Sequence, residues 1–283
     1  MPELPEVEVL VRHLRPVIVG KRIRALQVNR PKILKPTSLS AFKRALQGAT
    51  FRNLTRRGKY MVFELSTASS RKKLVVLGHL GMTGKMYLQK KESSLPKHAA
   101  VVLDLGRECF VFEDTRYFGR MTLDTAALAN LGPEPLSKEF NYAYFAETLR
   151  KSRQPIKVKL LDQSLVAGIG NIYASEALFL AGIAPSNPAG FLTEAQMRAL
   201  VRSIRKTLTA AIRLGSTVPL NFGPDKSDAL FYFGRRPEAV DYYEERLRVY
   251  DRAGKPCINC AAAIRRVVQA ARSTFYCPDC QKS

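Results

Sequence analysis

The chain begins Met1-Pro2-Glu3-Leu4-Pro5-Glu6, a stretch that places an acidic residue directly after each of its two prolines. Removal of Met1 would expose the secondary amine of Pro2. An α-amino group titrates near ~7.7–8.0, so much of it is the neutral nucleophile at cellular pH. Attack of such an amine on a sugar C1′ gives an iminium ion, an electron sink for elimination, and Glu3 offers acid–base chemistry beside it. The alternative is structural, because proline suits a first helical turn and acidic residues suit the positive end of a helix.

The chain beyond this stretch divides by pattern into β-rich, helical and cysteine-bearing parts. Apolar residues at helical spacing predict a helix over residues 5–19. Short β-rich runs over residues 21–123 predict an antiparallel sandwich or barrel. Gly132-Pro133-Glu134-Pro135 marks a boundary, after which helices are predicted. The predicted strands are 23–28, 60–65, 74–77, 85–88, 99–105 and 109–113, with a short helix at Leu39–Leu46; the later helices are 138–150, 155–165, 172–182 and 193–213.

The charge of the chain is strongly positive and clustered. It carries 46 Lys and Arg against 24 Asp and Glu, a formal charge of +22, and no Asp or Glu occurs between Val9 and Phe63. Such an excess is typical of contact with a polyanion, above all nucleic acid, although a basic surface that aids solubility is the alternative. No apolar run approaches the ~20 residues of a membrane span, and the start does not resemble a signal peptide. We therefore expect a cytosolic or nucleoid-associated protein with no membrane partner.

The C-terminal part contains four cysteines in the pattern C-x2-C-x16-C-x2-C: Cys257, Cys260, Cys277 and Cys280. Two such pairs can close a tetrahedral site around one zinc ion and leave no open position, so the zinc is predicted to be structural. Two disulfides or a redox pair are the alternatives, which a cytosolic setting and this separation disfavour. In so small a module metal binding would supply most of the folding energy. The fifth cysteine, Cys109, lies in an apolar strand and is expected to pack there.

One loop, Ala167-Gly168-Ile169-Gly170-Asn171, lies between two of the predicted helices. Glycines there allow the backbone to approach a partner closely, and amides that open the following helix can bind phosphate. A plain glycine turn is the alternative. Because the chain is strongly basic and Lys157 lies one predicted helix away, phosphate binding is the favoured interpretation.

Each of three further loops contains glycine together with a cationic, aromatic or methionine side chain. Thr55-Arg56-Arg57-Gly58-Lys59-Tyr60 places cations beside the start of a strand. Gly78-His79-Leu80-Gly81-Met82-Thr83-Gly84 carries a methionine that could pack in the core or act as a wedge between stacked bases. Asp114-Thr115-Arg116-Tyr117-Phe118-Gly119 joins an arginine to an aromatic residue, which suits stacking and insertion into a duplex. Each loop alone would also fit an ordinary turn.

In this order the motifs resemble those of the bacterial formamidopyrimidine-DNA glycosylase family, in the Fpg/Nei superfamily. The resemblance runs from end to end and rests on MPELPEVE, RRGKY, HLGMTG, DTRYFG, Ile156-Lys157, GIGNIY and STFYCPDCQ. It implies an α+β fold: an N-terminal antiparallel β-sandwich with flanking helices, a helix–two-turn–helix domain and a C-terminal four-cysteine zinc finger. The expected boundaries are 1–133 for the sandwich domain, 134–243 for the helical domain with a lesion-loop region, and 244–283 for the finger.

The resemblance implies a base-excision repair enzyme that acts as a monomer on double-stranded DNA in the bacterial cytoplasm. Such an enzyme excises oxidised purines, chiefly 8-oxoguanine and formamidopyrimidines, and cleaves the abasic strand by β- and δ-elimination. Pro2 is then expected to be the Schiff-base nucleophile, Glu3 the acid/base at the sugar ring, and Glu6 an assisting group in the lesion pocket. Lys59 resembles a lysine near the lesion phosphate with a role in the lyase steps, and Arg272 resembles a phosphate-gripping arginine.

The resemblance also implies residues that contact DNA. Three would fill the gap left by a flipped base and probe the opposite strand, namely Met82, Arg116 and Phe118. The expected phosphate contacts are His98, Arg153, Lys157 and Asn171.

The region before the finger departs from the family pattern. Gly215-Ser216-Thr217 has one glycine where two are common, and Ala229-Leu230-Phe231-Tyr232-Phe233-Gly234 matches poorly. Tyr250-Asp251-Arg252 stands where Tyr-Gly-Arg is usual. Because the family caps the extruded base with residues of this region, the lesion preference does not follow from the resemblance.

Two other functions remain open at this stage. A sister enzyme for oxidised pyrimidines is disfavoured because that branch usually has glycine where Leu4 stands. A non-enzymatic, zinc-bearing DNA-binding module is disfavoured by the intact Pro2-Glu3 pair together with Lys59.

Overall fold

The structure is a computed structural model that describes residues 2–67, 70–214 and 247–282, and the side chains of residues 70–72 lie outside this description. It divides into two compact units. The first contains Glu6–Ala129 together with Pro2, and the second contains Glu3–Pro5 and the described residues from Asn130 onwards. Within the described part of the chain, no helix has the length and apolar character needed to cross a bilayer.

Helix α1 spans Leu4–Ile18, within one residue of the predicted bounds. It is amphipathic because apolar residues recur every three or four positions. Five of them lie fully buried in the core of the first unit: Val7, Leu10, Val11, Leu14 and Ile18. Leu4, at the start of the helix, belongs instead to the core of the second unit.

The described residues of the first unit form, after α1, a second helix and eight strands: β1 (Ala25–Val28), α2 (Leu39–Leu46), β2 (Thr50–Arg57), β3 (Tyr60–Thr67), β4 (Ser70–His79), β5 (Lys85–Lys90), β6 (Ala99–Asp104), β7 (Glu108–Glu113) and β8 (Arg120–Thr122). They form two antiparallel sheets, in the orders β1-β6-β7-β5 and β2-β3-β4-β8. Phe63 on β3 packs edge-to-face on Phe110 of β7, with ring centroids 5.7 Å apart. The predicted antiparallel sandwich is therefore confirmed.

Strand β2 was not predicted from the sequence. Its only buried apolar side chains are Phe51 and Leu54, and its other positions carry Arg, Asn and Thr. A register shift against β3 falls between Phe51 and Asn53. Such a bulge interrupts the period-two alternation by which strands are recognised in a sequence.

The second unit contains the helices α3 (Tyr142–Leu149), α4 (Ile156–Leu160), α5 (Asn171–Ala181) and α6 (Glu194–Arg213). Helix α3 starts four residues after the predicted bound because Asn141 caps it, accepting a hydrogen bond from Tyr144 N at 3.1 Å. Helix α5 is buried over most of its length and ends at Gly182, whose φ is +70°. A reciprocal capping box between Thr193 and Gln196 begins α6.

The C-terminal module of the second unit is a hairpin of β9 (Arg265–Gln269) and β10 (Arg272–Tyr276). Its two connecting residues, Ala270 and Ala271, have φ values of +46° and +57°. The module packs on α5 through a cluster that includes Phe179, Val249, Ile264 and Phe275. The side chain of Gln281 donates a further hydrogen bond to Ile183 O at 2.8 Å.

Candidate functional site

The carboxylate of Glu3 is buried at the first turn of α5, within the second unit. Only 1% of the residue is exposed. Its two oxygens accept hydrogen bonds from Gly170 N at 2.7 Å, Ile172 N at 2.8 Å and Tyr173 N at 3.3 Å. The amides at a helix N-terminus lack intrahelical partners and carry partial positive charge, so they favour the ionised carboxylate. The Glu3 carboxylate therefore supplies the hydrogen-bond acceptors for amides at the start of α5.

Two glycines make this approach possible. Gly168 has a φ of +90°, and a Cβ added to it would lie 2.7 Å from Leu4 Cβ. A Cβ added to Gly170 would lie 2.5 Å from Glu3 Oε1. The expectation that the backbone approaches a partner closely here is met by the chain's own N-terminal segment. The expectation that these helix-opening amides receive a phosphate needs correction, because Glu3 already occupies three of them.

Lys157 on α4 is buried and tied to two other elements of the second unit. Its Nζ donates to Asn171 Oδ1 at 2.6 Å, Ser273 O at 3.0 Å and Thr274 Oγ1 at 2.7 Å. An ammonium group has three N–H donors, and these three acceptors use them all. Lys157 therefore joins α4, the start of α5 and β10, and a phosphate would reach it only by displacing one of these partners.

The charge state of Lys157 reflects this burial. Burial lowers the pKa of the ammonium to about 8, the positive charge of Arg272 acts in the same direction, and the carboxylate of Glu3 opposes them. Arg272 itself is exposed at the start of β10. Asn171 donates through Nδ2 to Ser273 O at 2.9 Å, so the amide group is oriented from both ends.

Glu176, on α5, is a buried acid that sequence reasoning missed. It accepts hydrogen bonds from the backbone amides of Arg248, Val249 and Tyr250 at 2.9–3.0 Å. Burial raises the pKa of its carboxyl, and the amides act against that rise. The signal that could have found it is a single acidic residue within the otherwise uncharged segment that forms α5. Asp251, which stands where the family has glycine, adopts a φ of +58°, a conformation that glycine takes most readily.

In the first unit, Pro2 and Glu6 are buried, and Lys59 occupies the two-residue turn between β2 and β3. Gly58, which precedes the lysine, has a φ of +57°. Burial and then the charges of Lys59 and Arg120 lower the pKa of His79 to about 4, so this histidine is neutral at physiological pH.

The loops that carry Met82, Arg116 and Phe118 lie side by side in the first unit. Met82 is 44% exposed and Phe118 is 52% exposed. The guanidinium carbon of Arg116 lies 4.9 Å from the centre of the Phe118 ring. His98 Nδ1 lies 3.3 Å from the hydroxyl of Tyr117 on the second of these loops. The structure therefore brings the three predicted wedge residues and His98 onto neighbouring loops.

The four predicted zinc ligands converge. Their sulfur atoms all lie within 4.8 Å of one another. The Sγ atoms of Cys257 and Cys280 are 3.8 Å apart, and those of Cys260 and Cys277 are 3.4 Å apart. Zn–S bonds of about 2.3 Å in a tetrahedron require sulfur separations of about 3.8 Å. The residues fit one zinc ion held by four thiolates, as predicted, and a closed site of this kind supplies structure and no reaction step.

The predicted site residues divide between the units. The first unit holds Pro2, Glu6, Lys59, Met82, His98, Arg116 and Phe118, and the second holds Glu3, Arg153, Lys157, Asn171, Arg272 and the four cysteines. Arg153 lies exposed in the loop between α3 and α4. The predicted lesion-loop region, 215–245, lies outside the described residues, and the three-domain boundaries stay a prediction.

Comparisons with known proteins agree along the whole chain. Residues 1–121 match the model of the formamidopyrimidine-DNA glycosylase N-terminal domain, residues 131–220 match its H2TH domain, and residues 254–282 match the zinc finger found in FPG and IleRS. A formamidopyrimidine-DNA glycosylase of Dinoroseobacter shibae is 40% identical, with all of both chains covered. One of Symbiobacterium thermophilum is 42% identical over 99% of this chain and 89% of its own.

Solved structures give the same result. A mutant FPG of Lactococcus lactis in complex with Fapy-dG containing DNA superposes with a TM-score of 0.86 at 33% identity, and all of both chains is covered. MutM in complex with DNA containing carbocyclic 8-oxo-G also superposes with a TM-score of 0.86 at 33% identity over both full chains.

Proposed function

The chain belongs to the formamidopyrimidine-DNA glycosylase family, and we propose that it removes oxidised purines, 8-oxoguanine and formamidopyrimidines, from double-stranded DNA. We further propose that it does so through a Schiff base at Pro2 and then cleaves the abasic strand by β,δ-elimination. The observation that carries this proposal is the buried carboxylate of Glu3, held by the first amides of α5 and joined by one peptide bond to Pro2. An ionised acid is thereby fixed beside the residue that becomes the N-terminus.

The proposed excision step uses both groups. The nitrogen of Pro2 attacks C1′ of the damaged nucleotide, and the electron pair of the glycosidic bond leaves with the base. The attacking secondary amine must lose its N–H proton before the C1′–O4′ bond can open. The Glu3 carboxylate takes that proton and returns it to O4′, which leaves an iminium ion between Pro2 and the open sugar.

The elimination steps follow from the charge of this ion. The iminium acidifies the C2′–H bond, loss of that proton expels the 3′ phosphate, and a second elimination expels the 5′ phosphate. Water then hydrolyses the iminium and releases Pro2. Lys59 lies in the β2–β3 turn, and we assign it to the lesion phosphate and the elimination steps; Glu6 is assigned to the lesion pocket.

The remaining assignments concern the hold on DNA. The formal charge of +22 supports binding to a polyanion. We assign phosphate contacts to Arg272, Asn171, Arg153 and His98. We assign the gap left by the extruded base to Met82, Arg116 and Phe118, two of which present exposed apolar side chains. Lys157 stays in this proposal as a DNA-binding residue, and within the second unit its donors also hold Asn171 and the start of β10.

Borohydride trapping tests the proposal. Borohydride reduces an iminium to a stable amine, so mature protein that begins at Pro2 should form a covalent adduct with a duplex that contains 8-oxoguanine. Protein with one additional N-terminal residue should bind the same duplex and form no adduct. Equal trapping of both proteins would place the nucleophile on an internal lysine. DNA binding without any trapping, on a panel of purine and pyrimidine lesions, would identify a non-enzymatic DNA-binding module instead.

A further inference from the structure

Asp114, at the end of β7, is a fully buried acid in the first unit with 0% exposure. Its Oδ1 accepts a hydrogen bond from the hydroxyl of Thr83 at 2.6 Å and one from Arg116 N at 3.2 Å. Its Oδ2 accepts from Gly119 N at 2.8 Å. One carboxylate therefore binds the loop that contains Met82 and both ends of the loop that contains Arg116 and Phe118.

Thr83 completes the link between the two loops. Its hydroxyl has one hydrogen to donate, which goes to Asp114, and lone pairs that can accept. Arg116 N approaches the same hydroxyl oxygen at 3.3 Å. The amide of Arg116 is thus shared between a side chain of its own loop and a side chain of the neighbouring loop.

The backbones of the two loops are also in contact. A Cβ added to Gly81 would lie 2.6 Å from Gly119 N, and one added to Gly119 would lie 2.9 Å from His79 O. Between Arg116 and Phe118, Tyr117 holds a φ of +55°, which is rare for a large side chain and must be stabilised by its surroundings. Asp114 binds the amides on both sides of this residue, at 116 and 119.

We propose that Asp114 and Thr83 are positioning residues that lock the two loops into one element, so that Met82, Arg116 and Phe118 enter a duplex together. The inference rests on the proposed function, since it concerns how the damaged base is extruded and how the opposite strand is probed. Hydrogen bonds to a buried carboxylate are stronger than those between neutral groups. If these hydrogen bonds are lost, the three side chains no longer keep fixed positions relative to one another. Selectivity for the opposite base should then fall more than the rate of cleavage at a preformed abasic site.

The test removes one hydroxyl and keeps the shape of the side chain. Thr83→Val should lower excision of 8-oxoguanine from an intact duplex by about tenfold, the scale of one lost hydrogen bond to a charged group. The ratio of excision rates between the most and the least favoured opposite base should shrink at least about threefold. Cleavage of a preformed abasic site, where extrusion needs less unstacking, should stay within about twofold. Thr83→Ser should restore all three measurements.

Thr37→Val is the matched control. In the wild type, the Thr37 hydroxyl shares a hydrogen bond with Thr122 Oγ1 at 2.8 Å and accepts one from Leu123 N at 2.9 Å, so it resembles the Thr83 hydroxyl in its partners. Thr37→Val should change none of the three measurements beyond about twofold. Asp114→Asn keeps the size and removes the charge, so it should repeat the Thr83→Val pattern with a larger loss.

The outcomes separate this inference from the proposed function. An unchanged opposite-base preference in Thr83→Val, or an equal loss on every substrate including the abasic site, overturns the positioning role. Either result would leave borohydride trapping of the wild-type protein intact. Failure of trapping in the wild type would instead overturn the proposed function, whatever the threonine variants show.

Discussion

The carboxylate of Glu3 fills the space in which a side chain at Gly170 would begin. Glu3 Oε1 lies 2.5 Å from the position of a Cβ on that glycine, while the Gly170 amide donates to Oε2 at 2.7 Å. Position 170, which precedes the first residue of α5, therefore requires glycine because the Glu3 carboxylate occupies the space of a side chain.

Gly170→Ala should displace Glu3 and leave the rest of the protein folded. The new methyl group cannot share the space of the carboxylate, so we expect excision to fall by at least about tenfold, as when a catalytic group is misplaced. DNA affinity should change by less than about threefold, because only one of the assigned phosphate contacts, Asn171, lies next to Gly170. Gly20→Ala is the control, since it also lies at a positive φ but has nothing within 4 Å of the added carbon. Equal excision by both variants would show that the position of Glu3 does not matter.

Glu3→Gln keeps the size of the side chain and removes its proton chemistry, although its NH2 group leaves at least one α5 amide without an acceptor. We expect excision to fall about a hundredfold or more, the usual effect of losing a general acid–base group. A preformed abasic site should still be cleaved, because the base is already gone. Glu3→Ala should lower the melting temperature more than Glu3→Gln, because all three buried amides lose their acceptor at about 1–3 kcal/mol each. Single-turnover excision, abasic-site cleavage and thermal unfolding measure these effects; wild-type excision by Glu3→Gln would contradict them.

Lys157 should make stability depend on pH in the alkaline range. Burial lowers its pKa from 10.5 to about 8. Between these values the unfolded chain holds the proton and the folded chain does not, so stability rises with pH through this window and is unaffected below it. Lys157→Met should remove that rise, which is roughly 3 kcal/mol at 1.36 kcal/mol per pKa unit.

Urea unfolding between pH 7.5 and 10.5 measures this difference. Lys206→Met, which alters an exposed lysine on α6, should follow the wild-type curve. Parallel curves for the wild type and Lys157→Met would show that the Lys157 ammonium is not desolvated as its burial implies.

Cys277→Ala should abolish zinc binding and weaken the hold on DNA. Three thiolates no longer close the site, and the hairpin that presents Arg272 loses its main source of folding energy. We expect less than about 0.1 zinc per chain and DNA affinity lowered at least about tenfold, with the first unit still folded. Cys109→Ala, a core position away from the ligands, should keep its zinc. Metal analysis and fluorescence anisotropy report the two quantities, and normal zinc content in Cys277→Ala would refute the assignment.

Ala271→Gly should stabilise the finger hairpin. Ala270 and Ala271 form its two-residue turn with positive φ values, a conformation in which glycine has no Cβ penalty. We expect the free energy of unfolding to rise by about 0.5–1 kcal/mol, because the left-handed conformation costs alanine about 1–2 kcal/mol and the flexibility of glycine costs about 0.5–1 kcal/mol. Ala263→Gly, in the same module and without a positive φ, should lower it, because glycine is more flexible in the unfolded chain. If both variants changed the free energy of unfolding in the same direction, backbone strain in the Ala270–Ala271 turn would not be the cause.

The elements that the sequence predicts well are those with a clean apolar period. Strands β3, β6 and β7 and helices α2 and α6 lie within two residues of their predicted bounds. Strand β2 escaped because charged side chains occupy its outer positions and a bulge breaks its alternation. The zinc ligands could be predicted because each C-x2-C pair places two thiolates on one ion by local backbone geometry, without help from residues elsewhere in the chain.

The partners of the site residues could not be predicted in this way. Glu3 binds an amide 167 residues away, and Lys157 binds a threonine 117 residues away. Sequence composition shows that a lysine is cationic and not whether it is buried, so the three internal acceptors of Lys157 could not be predicted, and its phosphate contact stays a prediction. The role of Asp114 was equally hidden, because its motif identifies the exposed arginine and phenylalanine and not the acid that binds their loop.

The docking of the N-terminal segment sets an order of events during biosynthesis. An aminopeptidase must draw a terminus into its own cleft in extended form, whereas Pro2 is buried and Glu3 is fastened by three amides once the protein has folded. The helix that supplies those amides emerges from the ribosome more than 160 residues after Pro2. Under the proposed mechanism, Met1 would therefore have to leave before this segment docks, because the amine of Pro2 is the group that reacts.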